Sequence, residues 1–182
     1  VRYRQSTVNE QPDTTADPDA DSQLSGSGLA AEKARRLGVI DAMRDAGDNP
    51  YPYRFDRTHT LVEVRAAWGD LEPGIETEDS VTVAGRIMLK RDSGKLVFAT
   101  IRDRSGEVQL FISKAVVGDD EFAAIKNLDL GDWVGVTGTV MTTRKGELSV
   151  KPDSVVLLSK AIRPMPDKWH GLNDTDTRFR QR

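Results

Sequence analysis

Between residues 80 and 158 the chain alternates apolar and polar side chains in a series of short runs. A period of two belongs to strands that bury one face and leave the other wet. The runs predict five strands, at about 80–91, 95–103, 107–113, 132–143 and 147–158. Ser93-Gly94, Ser105-Gly106 and Lys145-Gly146 separate the first from the second, the second from the third and the fourth from the fifth. Such pairs are tight-turn signals. Between the third and fourth runs Phe122, Ile125 and Leu128 recur every three residues, which predicts one short helix from Val117 to Leu128. Gly85 and Gly138 fall inside strands and predict bulges or bends.

Five short strands with a helix between the third and fourth make a mainly β chain. The pattern matches the five-stranded Greek-key barrel called the OB-fold, whose second and third strands form its usual binding face. On those two strands the apolar face is Val97, Ala99 and Ile101, continued by Val108, Leu110 and Ile112. Phe98, with Thr100 and Arg102, points the other way, as do Gln109 and Phe111. The first strand, by the same alternation, turns Arg86 and Lys90 outward and Val83, Ile87 and Leu89 inward. One surface therefore offers rings to stack on, an amide to read an edge and cations for phosphates, a set suited to unstacked bases.

Composition narrows the alternatives. With no cysteine among 182 residues, disulfides and thiolate metal sites are excluded. His59 and His170 lie far apart, against a zinc site built by the protein alone. No stretch approaches the roughly 20 apolar residues that span a bilayer, and no secretory signal pattern is present. The net charge of −3 argues against a general duplex binder. Its distribution is uneven, because residues 81–160 carry 12 basic against 10 acidic side chains. A mildly basic barrel fits recognition of a short single-stranded element.

Four regions organise the chain. Residues 1–28 are polar and Asp-rich, and read as a disordered linker. The first residue is Val, so the chain reads as a piece of something longer. Residues 29–79 read as a helical extension. Ala30, Ala34, Leu37, Ile40 and Met43 predict a helix from Leu29 to about Ala46, ended by Gly47. Arg35, Arg36 and Arg44 within it read as a solvated face or as contacts to a nucleic-acid backbone. Asn49-Pro50-Tyr51-Pro52-Tyr53 is an extended, proline-stiffened segment. Thr60 with Glu63 forms a capping box that predicts a helix from Leu61 to Trp68. The barrel occupies residues 80–160. Residues 161–182 read as a proline-punctuated hinge, with a new helix starting near Asn173.

Asn49-Pro50-Tyr51-Pro52, Val83-Ala84-Gly85-Arg86 with Phe98-Ala99-Thr100-Ile101, Gly146-Glu147-Leu148-Ser149-Val150, and Arg163 to Leu172 running into Arg178 to Arg182 together resemble the N-terminal region of bacterial class II lysyl-tRNA synthetases. The last stretch resembles the hinge to the catalytic domain of that family. The resemblance implies an anticodon-binding barrel for tRNA(Lys). Phe98 would stack on the central uridine, Gln109 would hydrogen-bond that base, and Arg86 would contact a base or phosphate nearby. Glu147 would accept from a base N–H, and Phe111 lies on the same face. It also implies that ATP and magnesium act in a catalytic domain absent from these residues. No cofactor, metal or catalytic residue is expected in this chain, and no aminoacylation by it alone. The catalytic domain of the same chain is an implied partner, and the parent is implied to be a homodimer on the cytoplasmic side.

The polar lead-in makes the chain resemble most closely the synthetase half of the bifunctional lysylphosphatidylglycerol synthetases. Their lysyl-tRNA supplies a membrane-anchored upstream domain, and lysylated lipid repels cationic peptides. No direct membrane contact is expected of the chain itself. Other readings of the same residues stand open. Phe98 could cap the barrel under the N-terminal helix, and Phe111 could pack on Phe98 rather than on a base. The barrel could be a sequence-tolerant single-strand binder or a protein-docking module, and the aspartyl or asparaginyl branch is a close neighbour.

Overall fold

A computed structural model describes residues 26–165. The expected linker up to residue 25, and the hinge and new helix from residue 166 onward, lie outside the described residues. Among the described residues there are five strands: β1 (Glu76–Ser93), β2 (Leu96–Arg102), β3 (Glu107–Ser113), β4 (Trp133–Thr142) and β5 (Leu148–Ser159). They close into a barrel in the order β1-β2-β3-β5-β4. Four seams are antiparallel. The fifth, β3 to β5, is parallel and is made by Gln109 opposite Ser149 and Leu110 opposite Val150. The expected mainly β, five-stranded barrel is what the chain forms.

The inward faces of all five strands meet in one core that includes Val83, Ile101, Leu110, Val136 and Val150. Each such side chain, fully buried, contributes on the order of 1.5–3 kcal/mol. Helix α2 (Leu61–Trp68) adds Leu61 and Val64 to that core. The capping box predicted from Thr60 and Glu63 is present: Thr60 Oγ1 accepts from the Glu63 amide, and the Glu63 carboxylate accepts from the Thr60 amide. The turn after β2 holds the helix in place. Asp103 accepts from the Leu61 amide at 3.2 Å, and Ser105 Oγ accepts from the Val62 amide at 3.1 Å.

Three local expectations are corrected. The single helix expected from Val117 to Leu128 is two, α3 (Lys114–Val117) and α4 (Asp119–Lys126). Gly118 divides them at φ +86°, a conformation that does not continue a helix. The bulge expected at Gly85 falls instead between Ile87 and Leu89. Gly85 has a different duty, since a Cβ there would come within 3.0 Å of Ile101 Cβ. The bulge inverts the alternation that follows it. Leu89, expected inward, is 51% exposed. Lys90, expected outward, pairs with Ala99 and donates to the carbonyls of Lys126 and Leu128. Gly138 does sit at a bulge, between Thr137 and Gly138.

The third correction concerns helix α1 (Gly26–Asp45), which starts three residues before the predicted Leu29. Of the expected apolar stripe only Ile40 is buried, while Leu37 is exposed. Arg36 is buried instead, at 4% exposure, rather than lying on a solvated face. Its guanidinium donates to Glu32 and to the carbonyls of Leu130, Ala161 and Arg163. Around it, Arg35 meets Asp129 at 2.6 Å, and Lys160 meets Asp129 at 2.5 Å and Asp132 at 2.7 Å. Burial pushes the Asp129 carboxyl up, but the bonds from Lys160 and Arg35 outweigh it and hold the group below the usual carboxylate range. Apart from Ile40, the side chains that dock α1 are charged.

Segment 49–59 then runs along β1 and β4. The Phe55 ring lies over Gly135, where a Cβ would come within 2.4 Å of it. The Thr58 and His59 amides both donate to the Thr82 carbonyl, at 2.8 and 3.3 Å. Among the described residues no helix is long and apolar enough to cross a membrane.

Candidate nucleic-acid interface

Cross-strand register builds the site. Phe98 of β2 lies directly opposite Phe111 of β3. Their rings meet edge to face, 5.4 Å between centroids and 80° between planes, a favoured aromatic geometry. Both rings remain half-buried on the outer surface. The Arg91 guanidinium lies over Phe98, 5.1 Å from the ring centroid. Phe111 does pack on Phe98, one of the two open readings, and the pair still presents aromatic surface outward.

One row further along the same face, Thr100 pairs with Gln109, and Gln109 faces Ser149 across the parallel seam. Gln109 Nε2 donates to Ser149 Oγ at 2.9 Å, and Ser149 Oγ donates to the Glu147 carbonyl at 3.1 Å. The Glu147 carboxylate, in the turn leading into β5, is about half exposed and lies 3.9 Å from Arg65 of α2. Arg65 in turn donates to the Glu107 carbonyl at 3.1 Å. Phe98, Phe111, Gln109 and Glu147 thus share one surface.

Arg86 does not join them. It pairs with Arg102 on one side and Trp133 on the other. Its guanidinium lies 5.5 Å from the Trp133 ring and 4.0 Å from Met165 Sδ. Four residues of strand, about 13 Å, separate its row from Phe98. Trp133 packs against Arg86, whose guanidinium also reaches Met165 at the start of the hinge.

Arg91 is the cation that sequence alternation missed. Counted by parity from Arg86 it falls inward; the bulge after Ile87 returns it to the outer face opposite Phe98. A strand of eighteen residues that cannot stay straight around a small barrel is the signal that could have found it. His59 has a structural place, edge-on to Trp68 at 5.5 Å, while His170 lies outside the described residues. Among the described residues no group of three or more His, Asp or Glu side chains could hold a metal ion.

This surface can stack a base, pair with its edge and balance a nearby phosphate. Residues 81–158 match the family of OB-fold nucleic acid binding domains. Over 149 residues the chain is 49% identical to a lysine–tRNA ligase of Bacillus subtilis, covering 81% of the chain and 30% of that relative. It is 47% identical over 148 residues to a lysine–tRNA ligase of a Synechococcus strain, covering 81% of the chain and 29% of that relative. It is 45% identical over 149 residues to one from Enterococcus faecalis, with 81% and 30% covered. The chain therefore spans about 30% of the length of the curated relatives it matches. Residues 81–158 are thus similar to OB-fold nucleic acid binding domains, and about four-fifths of the chain is similar to the N-terminal part of lysine–tRNA ligases.

Proposed function

We propose that this chain is the anticodon-reading part of a lysine–tRNA ligase and binds the anticodon loop of tRNA(Lys), positioning it for lysylation by a catalytic domain outside these residues. The observation that carries the reading is the half-buried Phe98–Phe111 pair on the outer surface, flanked on one barrel face by Arg91, Gln109 and Glu147. In this reading Phe98 stacks on the central base and Gln109 pairs with its edge. Glu147 accepts from a neighbouring base N–H, and Arg91 lies within reach of the adjoining phosphate. Arg86 is assigned to the hinge, where Trp133 and Met165 hold it. ATP and magnesium belong to the catalytic domain, and the parent acts as a homodimer on the cytoplasmic side. The finer reading, a fused parent that lysylates phosphatidylglycerol, is supported by the sequence resemblance alone. Assay of the full-length parent for lysyl transfer to phosphatidylglycerol vesicles tests it.

Titration with two hairpin RNAs tests the main reading, one with the lysine anticodon and one with its central uridine changed to cytidine, each at two salt concentrations. Preference for the uridine hairpin is the expected result. Equal, salt-sensitive binding of both would make the barrel a general single-strand binder. Binding of neither would overturn the reading. Phe98→Ala is expected to weaken the uridine complex by about 1–3 kcal/mol, the range for one base–aromatic stack, with the fold retained. An unfolded Phe98→Ala variant would show that the ring serves the core.

A further inference from the structure

Ser149, to which the Gly146–Val150 resemblance gave no role, accepts a hydrogen bond from the Gln109 side chain. It is 0% exposed and faces Gln109 across the parallel seam. A serine hydroxyl has one proton to give. That proton goes to the Glu147 carbonyl at 3.1 Å, because a carbonyl only accepts. The Ser149 oxygen then meets the Gln109 amide at 2.9 Å as an acceptor, so the half of the amide turned toward it is the NH2 group. Oε1 has no partner among the described residues and is left, with the second N–H, for a ligand. To flip the amide, the Ser149 proton would have to leave the Glu147 carbonyl, which would keep only the Thr143 amide at 3.0 Å.

Uracil and cytosine are opposites at the edge an amide reads. Uracil offers the N3–H donor beside a carbonyl acceptor; cytosine offers the N3 acceptor beside an amino donor. With the base plane held by a ring stack, one flip state of a glutamine amide matches uracil and the other matches cytosine. We propose that Ser149 is a specificity-determining positioning residue that locks Gln109 in the state matching uracil, so that the barrel accepts uridine and rejects cytidine. The inference rests on the anticodon reading above and names the residue behind its choice of base.

The test uses the whole 182-residue chain and the same two hairpin RNAs, carrying uridine or cytidine at the central position. Four proteins are titrated: the wild type, Ser149→Ala, Gln109→Ala and the double variant. A wild type without uridine preference would sink the anticodon reading itself, before any variant is compared. With that preference in hand, Ser149→Ala is expected to lower the uridine-to-cytidine ratio by about fivefold, the worth of one neutral hydrogen bond. In the Gln109→Ala background the same change should leave the ratio where it was, since there is no amide to orient. A ratio unchanged in Ser149→Ala, with both hairpins weakened alike, would reduce Ser149 to a packing role and overturn the proposal. So would an equal loss of ratio with and without Gln109.

Discussion

Lys160→Met removes the positive centre of the cluster that docks α1 while keeping a long, flexible side chain of similar reach. Lys160 is 2% exposed and its partner Asp132 is 0% exposed, with 2.7 Å between the charged atoms. Asp132 keeps two backbone donors, the amides of Asp129 at 2.8 Å and Ala161 at 2.9 Å. Asp129 keeps Arg35 at 2.6 Å. What Asp132 loses is its countercharge in a site that water does not reach. Breaking a buried pair from one side costs about 3–5 kcal/mol, and the surviving bonds place this case near 3 kcal/mol. Domains of this size hold about 5–15 kcal/mol in all. With a urea slope of about 2 kcal/mol/M, the unfolding midpoint should fall by about 1.5 M at unchanged slope. Tryptophan fluorescence during urea unfolding at neutral pH reads this directly. The gap should narrow in acid, where the Asp129 carboxyl, held below the usual range by Lys160 and Arg35, is protonated and no longer needs Lys160. A midpoint within about 0.3 M of the wild type would refute the reasoning, because it would mean that the cluster is solvated and its charges do not depend on one another.

The backbone and the titration of α1 offer two further checks. Gly138→Ala would place a Cβ 2.2 Å from the Lys151 carbonyl oxygen and 2.7 Å from Pro152 Cα, both fixed backbone atoms. Strands β4 and β5 must part to admit it, and thermal unfolding should show a loss of about 1–3 kcal/mol or more; wild-type stability would mean that the bulge gives way freely. Hydrogen bonds from Arg35 and then Arg36 pull the Glu32 carboxyl down from its ordinary 4.5 to about 2. A carboxyl depressed on folding adds stability above its unfolded value, and that stability is lost as pH falls. Part of the protein's stability should therefore drain away between about pH 4.5 and 2, and Glu32→Gln should flatten that stretch of the profile. An identical acid profile for the variant would refute the assignment.

The barrel was legible because its signals are short-range and agree with one another. Period-two runs, three turn pairs and one capping box each specify a piece, and the pieces fit one topology. Phe98, Phe111 and Gln109 were legible for the same reason, since β2 and β3 are short enough to keep strict alternation. Arg91 was not, because a bulge is imposed by closure of the whole sheet and leaves no mark at Met88 or Leu89. Arg36 was not, because nothing local distinguishes an arginine that reaches water from one that reaches three carbonyls more than ninety residues away. Ser149 was hidden similarly: its hydrogen-bond partner Gln109 is forty positions earlier and meets it only across the parallel seam.

That seam carries one more consequence. Where β4 and β5 pair over most of their length, β3 and β5 are joined through two register positions, and one of them is Gln109 with Ser149. The ring of strands is thinnest at the surface proposed to read a base. A base clasped by Gln109 on one strand and by Glu147 at the head of the other acts as a rivet through the joint. Because a ligand that prefers the closed form stabilises it by mass action, occupancy and closure become a single quantity. Slowed amide exchange on both sides of the joint would then report that the correct loop has arrived.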